Sequence, residues 1–433
     1  MAFTYEEAVD WIHSRLKFGI KPGLERMKWM MKELGNPEKK IQAIHVGGTN
    51  GKGSTVAYLR NILNESGYSV GTFTSPYIET FNERISINGL PIEDQNLTNL
   101  VEEIKPLVEK LEKTHLGSPT EFEVITAMAF HYFGNRIEVD AVLFEVGLGG
   151  LYDSTNIVEP IMSIITSIGH DHMNILGKSL KEIAGQKAGI IKPNIPVITG
   201  VQDDDALKVI LEKANQKDSQ PFVIDKDFYV HDMEVLNSGE LFSVKTPNHS
   251  YKSVKINMRG LHQIHNASLA VMAADLLNAN NLFTMNDESI RRGLMKTSWI
   301  GRFERIHQNP EVIIDGAHNQ EGIDSLVSVL NRHYKDRSIH ILFSALEDKD
   351  FKEMVSKLDS IAKTISFTSF PFPRAASAHQ LYDASKSMKK FLFENWKEAI
   401  DSVVRQKSQE DVIIITGSLY FISLVRRYCR KKL

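Results

Sequence analysis

The sequence predicts an α/β protein of two domains, and three observations carry that expectation. Short apolar runs rich in β-branched residues alternate with stretches of helical spacing, as in a parallel sheet covered on both faces. The alternation breaks once and then resumes. At 433 residues the chain is too long for a single hydrophobic core.

Taken in order, the first strand is expected at 42–46. It leads into Gly47-Gly48-Thr49-Asn50-Gly51-Lys52-Gly53-Ser54, and a helix is expected over 55–66. Glycines in such a loop let backbone N–H groups approach an anion closely. The helix N-terminus adds unsatisfied donors and a positive dipole end. Lys52 supplies a point charge for outer phosphates, and the Ser54 hydroxyl can hold a phosphate oxygen or a magnesium ion. The spacing departs from the common G-x-x-x-x-G-K-[ST] form, because Gly53 separates the lysine from the hydroxyl. The alternative is a flexible loop with a surface lysine; the strand before and the helix after speak against it.

Further strands are expected at 69–74, 140–146, 161–166 and 195–199, with helices over 96–113, 121–133 and 179–190. These complete an N-terminal domain of the phosphate-loop type with a mostly parallel sheet. Between 221 and 258 polar and apolar residues alternate around Asn237-Ser238-Gly239 and Pro247-Asn248-His249 turns, which predicts a small antiparallel appendage. A helix returns over 263–278. Strands at 312–315, 338–343, 363–368 and 411–416 then form a second α/β series, a Rossmann-like C-terminal domain. The boundary is expected around Thr297-Ser298-Trp299-Ile300-Gly301, giving domains 1–297 and 302–433. No internal repeat is apparent.

Composition narrows the function classes. Hydrophobic content of 42% and charged content of 24% are those of an ordinary globular protein. A formal net charge of −3 gives no general attraction to nucleic acid or anionic membrane, so an anionic ligand must be held by a local site. The single cysteine, Cys429, excludes an intrachain disulfide and a multi-cysteine metal site. The basic tail 426–432 reads as a solvated helix end. The N-terminus lacks a signal-peptide core, and no apolar run reaches membrane-spanning length. A cytoplasmic monomer with no nucleic-acid or membrane partner is expected.

Four more segments sit where an open α/β sheet puts its ligands, past the C-terminal ends of strands. Ser75, in Thr74-Ser75-Pro76, is either a magnesium ligand or part of a Ser-Pro turn. Glu145 interrupts a buried strand just before Gly147-Leu148-Gly149-Gly150; a carboxylate there needs a partner or a metal, and magnesium prefers hard oxygen ligands. His170-Asp171-His172 follows another strand. A zinc site there lacks further ligands, and Asp171 can equally cap the next segment. Lys187 lies between small apolar residues. From the residues alone it is a snorkelling surface lysine rather than a buried amine with a depressed pKa.

The order and spacing of these segments resemble the folylpolyglutamate synthase family, relatives of the cell-wall Mur ligases, along nearly the whole chain. The resemblance includes Gly47–Ser54, with Gly47 where the family has threonine. It also takes in Phe81-Asn82-Glu83-Arg84-Ile85, Thr120-Glu121-Phe122-Glu123, Glu145–Gly150 with Asp153 and Thr155-Asn156, Asp171-His172, and Lys187–Lys192. Later in the chain it includes His265-Asn266, Gly301–Glu304, Asp315–Asn319 and Thr416–Tyr420.

The resemblance implies an ATP-dependent ligase that joins L-glutamate to reduced folates, and to dihydropteroate in many bacterial relatives, through an acyl phosphate. It implies an active site in a cleft between the domains. Asn50, Gly51, Lys52, Gly53, Ser54, Asn266, Arg302 and Asp315 are then the ATP residues. Ser75, Glu145 and His172 are magnesium ligands, and Lys187 is a carbamylated lysine serving a second magnesium, with room for a monovalent cation. Lys52, Lys187 and His172 act in catalysis. Arg84, Thr120, Glu121, Phe122, Glu123 and Asp153 lie near the folate, and His318 and Ser418 near the incoming glutamate. Phe81–Ile85 looks more like members that only extend the glutamate chain. Two alternatives are a cell-wall amino-acid ligase, which usually carries a further N-terminal domain, and a nucleotide-binding regulator without ligase chemistry.

Overall fold

The computed structural model describes residues 3–405, 408 and 410–432. They form two compact α/β units. The first comprises Met1–Asp232, Phe242–Lys255 and His265–Thr297; the second comprises Met233–Leu241, Ile256–Ile264 and Ser298–Leu433.

The first unit is built on an eight-stranded sheet. Its strands are β1 (Ala43–Gly47), β2 (Val70–Phe73), β3 (Ile85–Ile87), β4 (Leu90–Pro91), β5 (Ala141–Glu145), β6 (Met162–Ile165), β7 (Val197–Thr199) and β8 (Pro221–Val223). The order is β4-β3-β2-β5-β1-β6-β7-β8. All pairs are parallel except the β2-β3-β4 edge. The central strand β1 is thus flanked by β5 and β6, and the segments after all three strands emerge side by side. One face is covered by helices Tyr5–His13, Glu25–Glu33, Asp94–Glu112 and Glu121–His131, whose Ile12, Met30, Ile104 and Met128 join one apolar core with Phe144 of β5. The Phe130 and Phe144 rings stack there with centroids 4.5 Å apart.

Helix Glu121–His131 begins where a capping box begins it. The Thr120 hydroxyl accepts the Glu123 N–H, and the Glu123 carboxylate accepts the Thr120 N–H. The helix after β1 runs Lys52–Glu65, three residues earlier than expected, so Lys52, Gly53 and Ser54 form its first turn. Helices Tyr5–His13, Glu25–Glu33 and Asp287–Lys296 have no counterpart in the sequence reading. Another difference concerns Pro221–Val223. It extends the main sheet in parallel with β7 instead of opening the antiparallel appendage. Its proline stands first in an edge strand, where a missing N–H is tolerated. The appendage itself is β9 (Tyr229–Leu236), β10 (Gly239–Lys245) and β11 (Ser250–Ile256), a three-stranded sheet of order β11-β10-β9.

The second unit carries β12 (Glu304–Gln308), β13 (Glu311–Ile314), β14 (Ser338–Phe343), β15 (Thr364–Thr368), β16 (Lys390–Phe393) and β17 (Asp411–Thr416) in the order β12-β13-β17-β14-β15-β16. Only β12 runs antiparallel to its neighbour. Apolar layers on both faces bury Ile341, Phe343 and Ile414 on one side and Leu342, Ile413 and Ile415 on the other. The closing helix, Leu419–Lys432, buries Cys429, whose thiol is pushed up to about 12 by burial and then by the charge of Asp401. No helix among the described residues is long and apolar enough to cross a membrane.

Candidate active site

The glycine-rich loop leaves β1 at Gly47 and is held from one side by the segment after β6. The Thr166 hydroxyl donates to the Asn50 carbonyl at 2.6 Å, and the Asn50 N–H donates to the Ser167 hydroxyl at 3.0 Å. Two glycines have backbones that other residues rarely adopt. Gly48 has φ +143° and Gly51 has φ +89°. A Cβ on Gly48 would lie 1.9 Å from the Thr166 hydroxyl, and one on Gly51 would lie 2.3 Å from the Asn266 side-chain oxygen. The structure therefore seats Asn266, on helix Leu261–Ala279, directly against the loop. Because the next helix starts at Lys52, its N-terminal turn faces the loop, and Ser54 is buried in that turn.

Two lysine amines meet at this loop. Lys52 Nζ donates to the carbonyls of Gly48 at 3.1 Å and Thr49 at 3.0 Å. Lys187 Nζ donates to the same Gly48 carbonyl at 2.8 Å. Lys187 is 5% exposed, which corrects the expectation of a surface lysine. The small residues around it, Ala184 and Ala188, are themselves buried and leave the chain lying inside the unit. Burial, and then the charge of Lys52, lowers the Lys187 pKa to about 7, while Asp171 and Asp153 act in the opposite direction.

Glu145 ends β5 and is buried; its Oε2 accepts the Ser75 N–H at 3.2 Å. His172 begins the short helix Met173–Leu176 with φ +50°, and its side chain is 43% exposed. Asp171 does not cap that helix: its carboxylate accepts the His172 N–H at 2.9 Å. Among the described residues no group of three or more His, Cys, Asp or Glu side chains could hold a metal ion. Glu145 and Ser75 nevertheless bring a buried carboxylate and a hydroxyl residue together, the hard oxygen donors that suit magnesium.

Arg84 lies over the rings of Tyr77 and Phe81 at 5.3 and 5.4 Å, and 3.6 Å from the Glu121 carboxylate. The Tyr77 ring thus supports Arg84. Thr120 and Glu123 are engaged in the capping box, and Glu123 also pairs with Arg26 Nε at 2.9 Å. Sequence reasoning missed Arg26, which lies 97 positions away. The Phe122 ring fills the space a Cβ on Gly147 would need, 2.4 Å away. Asp153 is buried and accepts from the Leu148 N–H at 2.7 Å and the Thr155 N–H at 3.0 Å, and from the Thr155 hydroxyl.

In the second unit Asp315 follows β13. Its carboxylate accepts the Phe303 N–H at 2.8 Å and the Ala317 N–H at 2.9 Å. Burial pushes its pKa up, against the opposing charge of Arg302. The Arg302 guanidinium lies against Gly316, where a Cβ would come within 2.2 Å of it. His318 Nδ1 donates to the Gly316 carbonyl at 2.7 Å. Asn319 caps helix Gln320–His333, and Ser418 is buried just past β17.

Known proteins resemble this chain in sequence and in fold. Residues 46–274 match the Mur ligase middle domain and residues 301–419 the Mur ligase glutamate ligase domain. The chain is 51% identical to the dihydrofolate synthase/folylpolyglutamate synthase of Bacillus subtilis (strain 168) over 99% of both chains. The solved Mycobacterium tuberculosis folylpolyglutamate synthase complexed with ADP is 29% identical, with a TM-score of 0.92 over 98% of both chains. An FPGS–AMPPCP–folate complex is 34% identical, with a TM-score of 0.88 over 98% of this chain and 99% of that one. At such identity and coverage, this chain belongs to the folylpolyglutamate synthase/dihydrofolate synthase family of the Mur ligases.

Proposed function

We propose that the protein is an ATP-dependent ligase that adds L-glutamate to the glutamate tail of reduced folates and also joins glutamate to dihydropteroate, giving dihydrofolate. The observation that carries this reading is the loop at Gly48, where Lys52 and the buried Lys187 share one carbonyl. The second activity is supported by the double name of the B. subtilis relative.

A carboxylate is a poor acyl donor at neutral pH. In the proposed reaction the acceptor's carboxylate attacks the γ-phosphorus of ATP, ADP leaves, and an acyl phosphate forms. The amine of glutamate then attacks that carbonyl and inorganic phosphate departs. Asn50, Gly51, Gly53 and Ser54 bind the phosphates through the loop and the first helical turn. Lys52 turns from its carbonyl partners to the γ-phosphate and stabilises the spreading charge. Asn266, Arg302 and Asp315 contact the rest of the nucleotide. Arg84, Glu121 and Phe122 lie along the folate, and His318 and Ser418 receive glutamate.

Ser75, Glu145 and His172 would hold one magnesium ion, and a carbamate on Lys187 a second. Magnesium supplies charge neutralisation to the transferring phosphoryl group. The carbamate requires a neutral amine to attack carbon dioxide, forming an N–C bond and releasing a proton. An amine titrating near 7 is about half neutral at pH 7.

The test is phosphate release with ATP and glutamate, comparing dihydropteroate with tetrahydrofolate as acceptor. Glutamate-dependent release with both acceptors is expected. Release that ignores every folate would point to the nucleotide-binding regulator instead. Release that needs a uridine-nucleotide peptide would point to a cell-wall ligase.

A further inference from the structure

His45 lies in β1, two residues before the glycine loop, and is completely buried. Its Nε2 is 2.8 Å from the Thr155 hydroxyl. That hydroxyl donates to Asp153 Oδ1, so it can only accept from the imidazole, and Nε2 must carry the proton. The other ring nitrogen, Nδ1, has no hydrogen-bond partner among the described residues. Burial, and then the charge of Lys192, depresses the His45 pKa to about 3, so the ring stays neutral and its tautomer is fixed.

Asp153 passes this order on to the loop after β5. Its carboxylate receives the Leu148 and Thr155 N–H groups and the Thr155 hydroxyl, and it also accepts from Gly147. The loop it holds is closely confined. A Cβ on Gly147 would strike Phe122, and one on Gly150 would come within 2.8 and 2.9 Å of the Gln186 and Lys187 carbonyls. The loop is therefore a wedge between Phe122 and Lys187, and it directly follows Glu145.

We infer that His45 and Thr155 are positioning residues, and that Asp153 acts with them rather than as a substrate contact. The neutral imidazole orients the Thr155 hydroxyl, the hydroxyl orients the Asp153 carboxylate, and the carboxylate sets the 147–150 loop. The chain of bonds ties the strand that carries the phosphate loop to the loop that spaces Phe122 from Lys187. This inference rests on the ligase reading only for its activity readout.

The experiment compares Thr155→Val, Thr155→Ser, His45→Leu and the double variant His45→Leu/Thr155→Val in the full chain. Each is assayed well below its own Tm, with amide hydrogen exchange measured over 146–152. Thr155→Val is expected to lower kcat by about tenfold to a hundredfold, the scale of a small misplacement in a catalytic site. KM for ATP should change little, and exchange at the Leu148 amide should accelerate. Thr155→Ser keeps the hydroxyl and should restore both. The double variant should be no worse in kcat than Thr155→Val, because the two groups act in series. Wild-type kcat in folded Thr155→Val would overturn the inference. So would unchanged exchange at Leu148 in that variant, a result that stands whether or not the wild type ligates glutamate. A wild type without glutamate ligation would instead remove the functional reading and leave the exchange result to decide the loop's anchoring. If His45→Leu fails to fold, the Thr155 pair decides alone.

Discussion

The loop at Gly47–Ser54 and the turn at Asp315–Asn319 are both strand-to-helix crossings that hold ionisable groups against the backbone, yet they do so in opposite ways. In the first, two lysine amines rest on backbone carbonyls, and the helix N-terminus opens toward the loop. In the second, a carboxylate satisfies the N–H groups of Phe303 and Ala317, and Asn319 closes the following helix. The first turn is left electropositive and ready for an anion. The second is internally neutralised, so its charge serves its own geometry first. A lysine loop of this kind should be sacrificed for activity with little structural cost, whereas the carboxylate turn should lose shape and affinity together.

The largest effect should come from Lys52→Ala. Loss of one preorganised cation from a phosphoryl site lowers kcat by roughly 10²–10³. The thermal transition should stay near the wild-type value, since the Lys52 amine donates to carbonyls of its own loop. Turnover close to wild type would dissolve the contrast between the two turns.

Lys187→Met should also abolish most turnover, and the parallel Lys187→Ala variant should regain part of it with small carboxylic acids. The fold should respond in the opposite sense. The folded amine titrates near 7 and the unfolded one near 10.5. Between those values the unfolded chain binds the extra proton, so this group destabilises the fold increasingly as pH falls from 10.5 to 7, and constantly below. In buffer free of carbon dioxide, Lys187→Met should therefore raise Tm more at pH 7 than at pH 10. An unchanged Tm at both would mean that the amine is better solvated than its burial indicates.

Asp315→Asn keeps one acceptor and loses the charge facing Arg302. Nucleotide binding, followed by calorimetry, should weaken by about tenfold, the scale of one charge-assisted hydrogen bond. Tm should fall in the same variant, unlike Lys52→Ala. The smallest effect belongs to Asn319→Ala, which removes a helix cap worth about 1 kcal/mol and should leave kcat within a factor of about two to three. Chemical denaturation measures the first, and steady-state assay the second.

How legible each turn was in the sequence follows from the same contrast. The phosphate loop could be read because its glycines, its lysine and the flanking strand and helix lie within one short stretch. Asp315 and Arg302 have no such local grammar; only the family resemblance pointed to them. The burial of Lys187 is tertiary, since it depends on Gly48, 139 positions away. Arg26 was missed as the partner of Glu123 for the same reason. The strands that escaped, β3, β4, β8, β12 and β16, are short or lie at sheet edges, where a mixed polar sequence gives no continuous apolar run. The central strands, covered on both faces, were found, β14 and β17 with the expected boundaries and the others shifted by a residue or two.

Cys429 has a practical consequence. It is the chain's one thiol, 2% exposed and held mostly protonated by its raised pKa. Maleimides and similar reagents attack thiolate at the surface, so the native chain is nearly silent toward them. A cysteine engineered into each unit would accept a fluorophore while the natural one stays unlabelled. Energy transfer between two such dyes could then follow the units through a catalytic cycle, with no background-removing mutation in the closing helix.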